Sequence, residues 1–384
     1  MNNIAGSKSS LTWIVHISVV LLVALWLFPT LGLLVSSFRT SDQISNSGWW
    51  QSMFPTEQNL TLRAADPDDA GNQNLIDGLY VVQGNLFGQA SEAEISVWGA
   101  SSRTYNAYGI GETADLKDGE TLSVQANGDY KWTSPIELSG RGQRVFVTAT
   151  TPPEFTLDNY KQVLFSGNST DSLAKAFFNT LTVTIPATII PIVIAAFAAY
   201  ALAWMDFPGR AILIALVVGL LVVPLQPALI PLLKLHLQIG IGKGYLGVWM
   251  AHTGFGLPLA IYLLRNYMVG LPRDIIENAK VDGATDFQIF TKIILPLSFP
   301  ALASFAIFQF LWTWNDLLVA KVFLIDATGE TTVMTAQIVE LLGTRGGNWE
   351  ILATAAFVSI AVPLCVFFAM QKYLVRGLLA GSVK

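Results

Sequence analysis

Six runs of this chain are apolar over roughly 20 residues or more, the length needed to cross the hydrocarbon core of a bilayer. They lie near Leu11–Val35, Leu173–Trp204, Ala211–Leu233, Tyr245–Met268, Leu297–Leu324 and Ile351–Leu374. Composition supports reading them as spans. Hydrophobic residues make up 52% of the 384 positions and charged residues only 13%, about half the usual charged share. A soluble protein of this size could not solvate such a surface, so the chain is an integral membrane protein. Disorder, a collagen repeat and a disulfide scaffold are excluded; with Cys365 the lone cysteine, no intrachain disulfide can form. The first run is read as an uncleaved transmembrane helix. It is preceded only by Lys8, is longer than a signal-peptide core, and is followed by no small-residue cleavage pattern.

Basic residues in short loops set the orientation. Arg265, Arg273, Lys280 and Lys292 follow the fourth run, and Lys372, Arg376 and Lys384 end the chain. With six spans both groups fall on one side, which is then cytoplasmic. The N-terminus joins them, and residues 37–171 face outward. Lys234 and Lys243 fall on the outer side, against the trend. The outer block is acidic: Thr40–Asp171 holds 17 acidic and 7 basic residues, a net of −10, against +5 for the rest of the chain. The total of −5 gives no nucleic-acid footprint.

The outer block carries strand signals. Asn127-Gly128 separates Thr121–Val124 from Tyr130–Trp132, a hairpin pattern. Glu94–Trp98 and Arg144–Thr148 are further strand-like runs. A small β-rich domain is expected at about residues 75–150, with Asn46–Gly71 irregular.

The most informative stretch is Leu271–Pro296, LPRDIIENAKVDGATDFQIFTKIILP. Pro272 suits the start of a helix, and Arg273–Val281 reads as a short helix. Gly283 can take the left-handed conformation that ends it. Thr285 and Gln288 fit a capping box opening a second short helix, and Pro296 opens the next span. The product is a helix–turn–helix projecting from the cytoplasmic face. The small Ala279 and the tight turn suit a docking knob, with Glu277 placed to bond a partner or cap the turn. An ordinary interfacial helix pair is the alternative on these residues alone.

Glu277-x-Ala279-x3-Gly283-Ala284 followed by Ile293-x-Leu295-Pro296 resembles the EAA loop of binding-protein-dependent ABC importer permeases. Asn278 departs from it, standing where alanine is usual. Most of the chain outside the insert is similar to the smaller permease subunit of the maltose-type carbohydrate importers. The resemblance rests on Phe155–Tyr160, Asn179-Thr180-Leu181, Ala198–Ala203 with Phe207-Pro208-Gly209-Arg210, Trp314-Asn315-Asp316, and Gly377–Lys384. The long insert after the first span resembles the layout of α-glucoside importer permeases.

The resemblance implies a type I ABC importer permease fold: an all-α polytopic membrane protein of six transmembrane helices, with the β-rich domain periplasmic. Its organisation would be a cytoplasmic N-terminus and first helix (1–36), the insert (37–171), the permease core (172–376) with the coupling loop at 271–296, and a cytoplasmic tail (377–384). The site would be the bacterial inner membrane. Implied partners are a second, larger permease subunit, two ATPase subunits, a periplasmic sugar-binding protein and membrane lipid. The implied function is ATP-driven uptake of an α-glucoside or related oligosaccharide, the permease alternating between inward- and outward-facing states. Coupling to the ATPase would run through Glu277, Ala279, Asp282, Gly283, Ala284, Leu295 and Pro296. A contact loop for the binding protein would comprise Gly343, Thr344, Arg345, Gly346, Gly347 and Asn348, within an outer loop spanning about Asp326–Trp349. Gly381, Ser382, Val383 and Lys384 would enter the ATPase interface. No G-x4-G-K-[ST] phosphate loop occurs, so the chain is expected to be no enzyme and to hold no cofactor; ATP and Mg would belong to the partner ATPase.

Polar groups within spans are costly and mark function. Asn179, Gln226, Gln309, Asn315 and Asp316 qualify, and Gln309, Trp312, Trp314 and Asn315 are candidates to line the pathway. Helix–helix hydrogen bonding and an aromatic belt are the alternative. Pro224, Pro227 and Pro231 should bend the third span. Gly242-Lys243-Gly244-Tyr245-Leu246-Gly247 matches a dinucleotide fingerprint but lacks the βαβ context. His16, His236 and His252 lie far apart with no carboxylate or cysteine at ligand spacing, so no metal site is expected; Cys365 reads as an inert residue of the membrane core. A polyol or glycerol phosphate cargo remains open. So does a membrane receptor whose outer domain senses a ligand; a membrane enzyme lacks any nucleophile–base cluster.

Overall fold

The computed structural model describes residues 10–88, 92–165, 173–325, 328–344 and 347–380. In chain order the helices are α1 (Ser10–Ser36), α2 (Ser41–Asn46), α3 (Asp158–Phe165), α4 (Leu173–Trp204), α5 (Arg210–Leu220), α6 (Leu225–Gln238), α7 (Tyr245–Val269), α8 (Arg273–Val281), α9 (Asp286–Ile289), α10 (Leu295–Leu297), α11 (Phe299–Trp314), α12 (Leu318–Phe323), α13 (Met334–Thr344) and α14 (Trp349–Ala380). The chain divides into two units: Met1–Asn159 with Gly347–Thr354, and Tyr160–Gly346 with Ala355–Lys384.

In the first unit, α1 leaves Leu22, Leu25 and Trp26 bare. Beyond it the chain turns sharply. Thr40 and Gln43 form a capping box that starts α2. The buried Arg39 donates to the carbonyls of Gln43 at 2.7 Å and Ser47 at 3.0 Å, and to the Ser47 hydroxyl. Asn159 Nδ2 ties the Ser37 and Arg39 carbonyls at 3.0 and 2.9 Å.

Among the described residues nine strands follow: β1 (Thr56–Arg63), β2 (Gln73–Ile76), β3 (Leu79–Asn85), β4 (Glu94–Gly99), β5 (Tyr108–Gly109), β6 (Thr113–Asp115), β7 (Thr121–Val124), β8 (Asp129–Ser134) and β9 (Arg144–Thr151). They form two sheets, β1-β9-β4-β5 and β2-β3-β8-β7-β6. Inward-facing residues of both meet in one core that includes Ile95, Trp98, Val145 and Val147 from the first and Val82, Leu122, Val124 and Trp132 from the second. Facing sheets over a shared core make a sandwich. The Asn127-Gly128 turn joins β7 to β8, with Gly128 at φ +88°. A second hairpin, at Asp77-Gly78, has both residues at positive φ (53° and 81°), the signature of a type I′ turn.

The stretch Asn46–Gly71 is not irregular throughout. It contains β1, which pairs with β9 along its whole length, Thr56↔Thr151 to Arg63↔Arg144. Its sequence, TEQNLTLR, has too few apolar residues to announce a strand; register with β9 imposes one.

The second unit is helical. The chain holds four helices long and apolar enough to cross a membrane, or up to six such segments if each of two bent pairs counts as one span, among the described residues. α5 and α6 meet at 114°, where Pro224 opens α6 in an extended conformation. Pro227 falls in the first turn, where its missing N–H costs nothing. The stretch from α9 to α10 bends 69° into α11. The expected fifth span, Leu297–Leu324, is interrupted: α11 ends at Trp314 and α12 restarts at Leu318.

α4, α7 and α11 pack through small residues. Ala195, Ala196, Ala199 and Ala203 of α4 meet Ala260 of α7 and Ala301 of α11 in one cluster, letting the backbones approach closely. Arg210 closes the end of α4: Nε and Nη2 donate to the Leu202 and Ala203 carbonyls at 2.9 and 3.0 Å, and Nη1 reaches Asp206 at 3.0 Å. Gly209, at φ +85°, makes the turn that returns Arg210 to those carbonyls.

Candidate functional site

α8 runs over the expected residues, with Pro272 one position before its first turn. It ends in a Schellman motif. The N–H of Ala284 donates to the Ala279 carbonyl at 2.9 Å, and that of Gly283 to the Lys280 carbonyl at 3.0 Å. Gly283 sits at φ +80°, where a side chain is strained. The motif calls for an apolar contact between the residues flanking the turn, and Ala279 and Ala284 both pack against the helical core. The Thr285 capping box then forms. Thr285 N donates to Gln288 Oε1 at 2.9 Å, and Gln288 N to Thr285 Oγ1 at 3.3 Å.

α9 passes into a π-helical turn, Phe290–Ile294, before α10. The Leu295 N–H reaches back to the Phe290 carbonyl. Pro296 accounts for the widening: it has no N–H to donate, and its ring would crowd the carbonyl four residues back in a regular helix. Leu295 is half-buried and Pro296 exposed.

The helix pair has two faces of opposite character. Ile276, Ile289, Phe290 and Ile294 are buried against Ala199, Tyr200, Leu264, Met268 and Leu302. The other face is bare: Val281 is 86% exposed and Phe287 65%, and Glu277, Asp282 and Gly283 are exposed beside them. Glu277 has no hydrogen-bond or ion-pair partner among the described residues, so backbone bonds and Gly283, rather than its carboxylate, close the turn. Tyr200 Oη donates to Asp286 at 3.4 Å, and Lys280 Nζ lies 3.9 Å from the same carboxylate. A knob of this build can transmit a push: its root is packed into α4, α7 and α11, and its apolar tip is uncovered among the described residues.

Toward the other end of α4, Asn179 stands 21 residues from Tyr200, about 32 Å along the helix axis, and holds a second network. Asn179 Nδ2 donates to the Glu330 and Thr332 carbonyls, both at 2.9 Å, and its Oδ1 accepts from Tyr245 Oη at 2.9 Å. Lys175 pairs with Glu330. Within the expected Asp326–Trp349 loop, α13 occupies Met334–Thr344. Met334 and Gln337 are buried, with Ile338 and Leu341 partly so. Of the expected contact loop, Gly343 and Thr344 end α13, and Gly347 and Asn348 precede α14. Arg345 and Gly346 lie outside the described residues, as do Gly381, Ser382, Val383 and Lys384.

The four pathway candidates are not brought together. Gln309 is buried between helices, donating to the Ala187 carbonyl at 3.1 Å and to that of His252 at 3.5 Å. A Cβ on Gly256 would lie 2.7 Å from Gln309 Oε1, so glycine makes room for it. Trp314 is buried, stacked on Phe310, its indole N–H donating to Ser359 at 3.0 Å. Trp312 and Asn315 are exposed. Cys365 is exposed on α14, within a stretch apolar enough to cross a membrane.

Linear spacing hid one pair. His252 Nε2 of α7 lies 3.7 Å from Asp316 Oδ2, their side chains 4% and 8% exposed. Asp316 also accepts from the Val319 and Ala320 N–H groups at 3.3 and 3.0 Å, anchoring the start of α12. The two residues are 64 positions apart, and only the fold reveals them as neighbours.

A family model described as the inner membrane component of binding-protein-dependent transport systems matches residues 164–379. The α-glucoside transport system permease protein AglG of Rhizobium meliloti (strain 1021) is 60% identical over 383 residues, 98% of this chain and 98% of that protein. That alignment therefore takes in the β sandwich. The osmoprotective compounds uptake permease protein GgtD of Synechocystis sp. is 58% identical over 231 residues, 60% of this chain and 76% of its own length. A solved bacterial ABC transporter involved in the import of the acidic polysaccharide alginate aligns at 22% identity and a TM-score of 0.49, over 58% of this chain and 81% of that one. By the family match and the near full-length identity, the chain belongs to the inner membrane components of binding-protein-dependent transport systems.

Proposed function

We propose that this chain is a permease subunit of an ATP-driven importer for an α-glucoside or a related oligosaccharide. The observation that carries the coupling part is the α8–α9 knob, apolar at its tip and packed at its root. The knob seats in a cleft of an ATPase subunit, which binds the ATP and Mg. Closure of the ATPase dimer then moves α4, α7 and α11 with the knob, because slippage would require unpacking Ile289, Phe290 and Ile294. Two ATPase subunits, a second, larger permease and an external sugar-binding protein complete the assembly. Each bent pair counts as one span, giving six, with both termini cytoplasmic and the β sandwich on the periplasmic side of the inner membrane.

The cargo class is supported by the 60% identity with an α-glucoside permease along nearly the whole chain. A second cargo, an osmoprotective solute, is favoured by the 58% identical relative. Uptake of a labelled α-glucoside by cells carrying the intact importer, competed by unlabelled sugars and polyols, separates the two. Competition by α-glucosides alone supports the first; competition by polyols or other osmoprotectants alone supports the second. A sensor without transport predicts no uptake at all.

A further inference from the structure

We propose that Trp49–Phe54 is an interfacial membrane anchor that folds back from the β sandwich into the outer headgroup region beside α1. The clamp of Arg39 on the Gln43 and Ser47 backbone sets the direction of the chain after α2. It returns Trp49 to α1, where its ring lies 4.6 Å from that of Phe28. A Cβ on Gly32 would lie 2.7 Å from Trp49 Nε1, so the helix has a notch where the indole rests. A Cβ on Gly48 would collide with the Trp50 ring, so this glycine too is needed for the arrangement. Trp50 lies 6.2 Å from Trp49 and 6.5 Å from Phe28.

The tip of this turn has no cover among the described residues. Trp50, Met53 and Phe54 are each more than 60% exposed. From Gln43 to Thr56 the chain carries no charge, within a block that holds 17 acidic and 7 basic residues. An apolar, uncharged turn in an otherwise acidic domain is not a solvated loop.

Lipid is the occupant because the patch continues the bare apolar surface of α1, on which Leu22, Leu25, Trp26, Phe28 and Leu31 are exposed. Depth agrees. Gly32 and Phe28 precede the polar end of α1 at Ser36 by about 6 and 12 Å along the axis, at about 1.5 Å per residue. The helix is 27 residues long, about 40 Å, some 10 Å more than a hydrocarbon core of about 30 Å. The indoles therefore lie at the level where tryptophan collects, its ring among acyl chains and its N–H among headgroups. β1 begins at Thr56, two residues after Phe54, so the anchor and α1 together tether the sandwich to the bilayer at two points. The proposal depends on α1 spanning the membrane and not on the cargo.

The test uses the full chain with its co-purifying subunits, in nanodiscs of phosphatidylcholine and phosphatidylglycerol. Cys365→Ser removes the lone cysteine, and Met53→Cys places a nitroxide in the turn. Phe54→Cys and Trp50→Cys serve where Met53→Cys fails to assemble, and Asn74→Cys on the exposed strand β2 is the aqueous control. Power-saturation spectroscopy compares collision with oxygen and with a water-soluble nickel chelate. The expected result is a label in the turn reached several-fold more by oxygen, relative to nickel, than the Asn74 label. Equal accessibility at both sites would overturn the proposal. So would a label shielded from both reagents, the mark of a protein partner.

Discussion

The backbone N–H of Ala284 donates to the carbonyl of Ala279 across a glycine at φ +80°. This one bond accounts for the small residue, the left-handed glycine and the second small residue at that spacing in the turn after α8. Ala279 contributes the carbonyl that the Ala284 N–H reaches, Gly283 makes the reversal, and Ala279 and Ala284 both pack against the helical core. The pattern is a helix terminator first, and the knob's shape follows from it.

Gly283 separates folding from docking. No atom lies within 4 Å of the position its Cβ would take, so the cost of a side chain is conformational, about 1–2 kcal/mol for most residues and less for Asp or Asn. Gly283→Asp is expected to leave the protein in the membrane at near-normal abundance and to abolish uptake, because it adds a charge to the proposed docking face. Immunoblots of membranes with parallel uptake assays check this. Normal transport by the variant would count against docking at this face.

Phe290 tests the root of the knob. It is buried against Phe197 and Tyr200, with ring centroids 4.7 and 5.3 Å away. Phe290→Ala should cost about 3 kcal/mol locally and loosen the lever without touching its tip. The expected outcome in proteoliposomes is retained ATPase association, with less cargo moved per ATP hydrolysed. An unchanged ratio would show that the root does not carry the coupling.

Arg210 should be irreplaceable by lysine. Its guanidinium bonds two carbonyls at the end of α4 and Asp206 together, a fork that a single ammonium cannot reproduce. Arg210→Lys and Arg210→Ala are both expected to lower the midpoint of thermal unfolding in detergent, by amounts within a few degrees of each other. Full stability of the lysine variant would contradict this.

Asp316 and His252 should behave as one unit. Buried side chains this close share their surroundings, so the effects of removing them are not additive, and the coupling between neighbouring residues is typically about 0.5–3 kcal/mol. Asp316→Ala should therefore destabilise more in the native background than in a His252→Ala background. A thermal-stability double-mutant cycle measures the difference, and strict additivity would show that the 3.7 Å approach carries no coupling.

The apolar runs made the helical segments legible in the sequence, because each spans several turns. The α8–α9 loop was legible to the residue, since Gly283, Thr285 and Gln288 encode local geometry that no distant contact overrides. What escaped was set by tertiary partners. β1 is a polar strand given its register by β9. The break after Trp314 depends on Asp316 capping α12, which an apolar window averages away. Two misses were readable: the Asp77-Gly78 hairpin, and α13, whose Met334, Gln337, Ile338 and Leu341 stand at helical spacing. The tip of the knob was hidden for another reason. Val281 and Phe287 resemble ordinary core residues until the fold shows them bare.

Val281 offers the most direct measurement. With Cys365→Ser as background, Val281→Cys can carry a benzophenone photo-crosslinker in native membranes whose uptake activity persists. The expected result is an ultraviolet-dependent adduct with an ATP-binding subunit, identified by mass spectrometry. Adducts with lipid alone, in membranes that still transport, would contradict the claim that this knob is where the ATPase grips the permease.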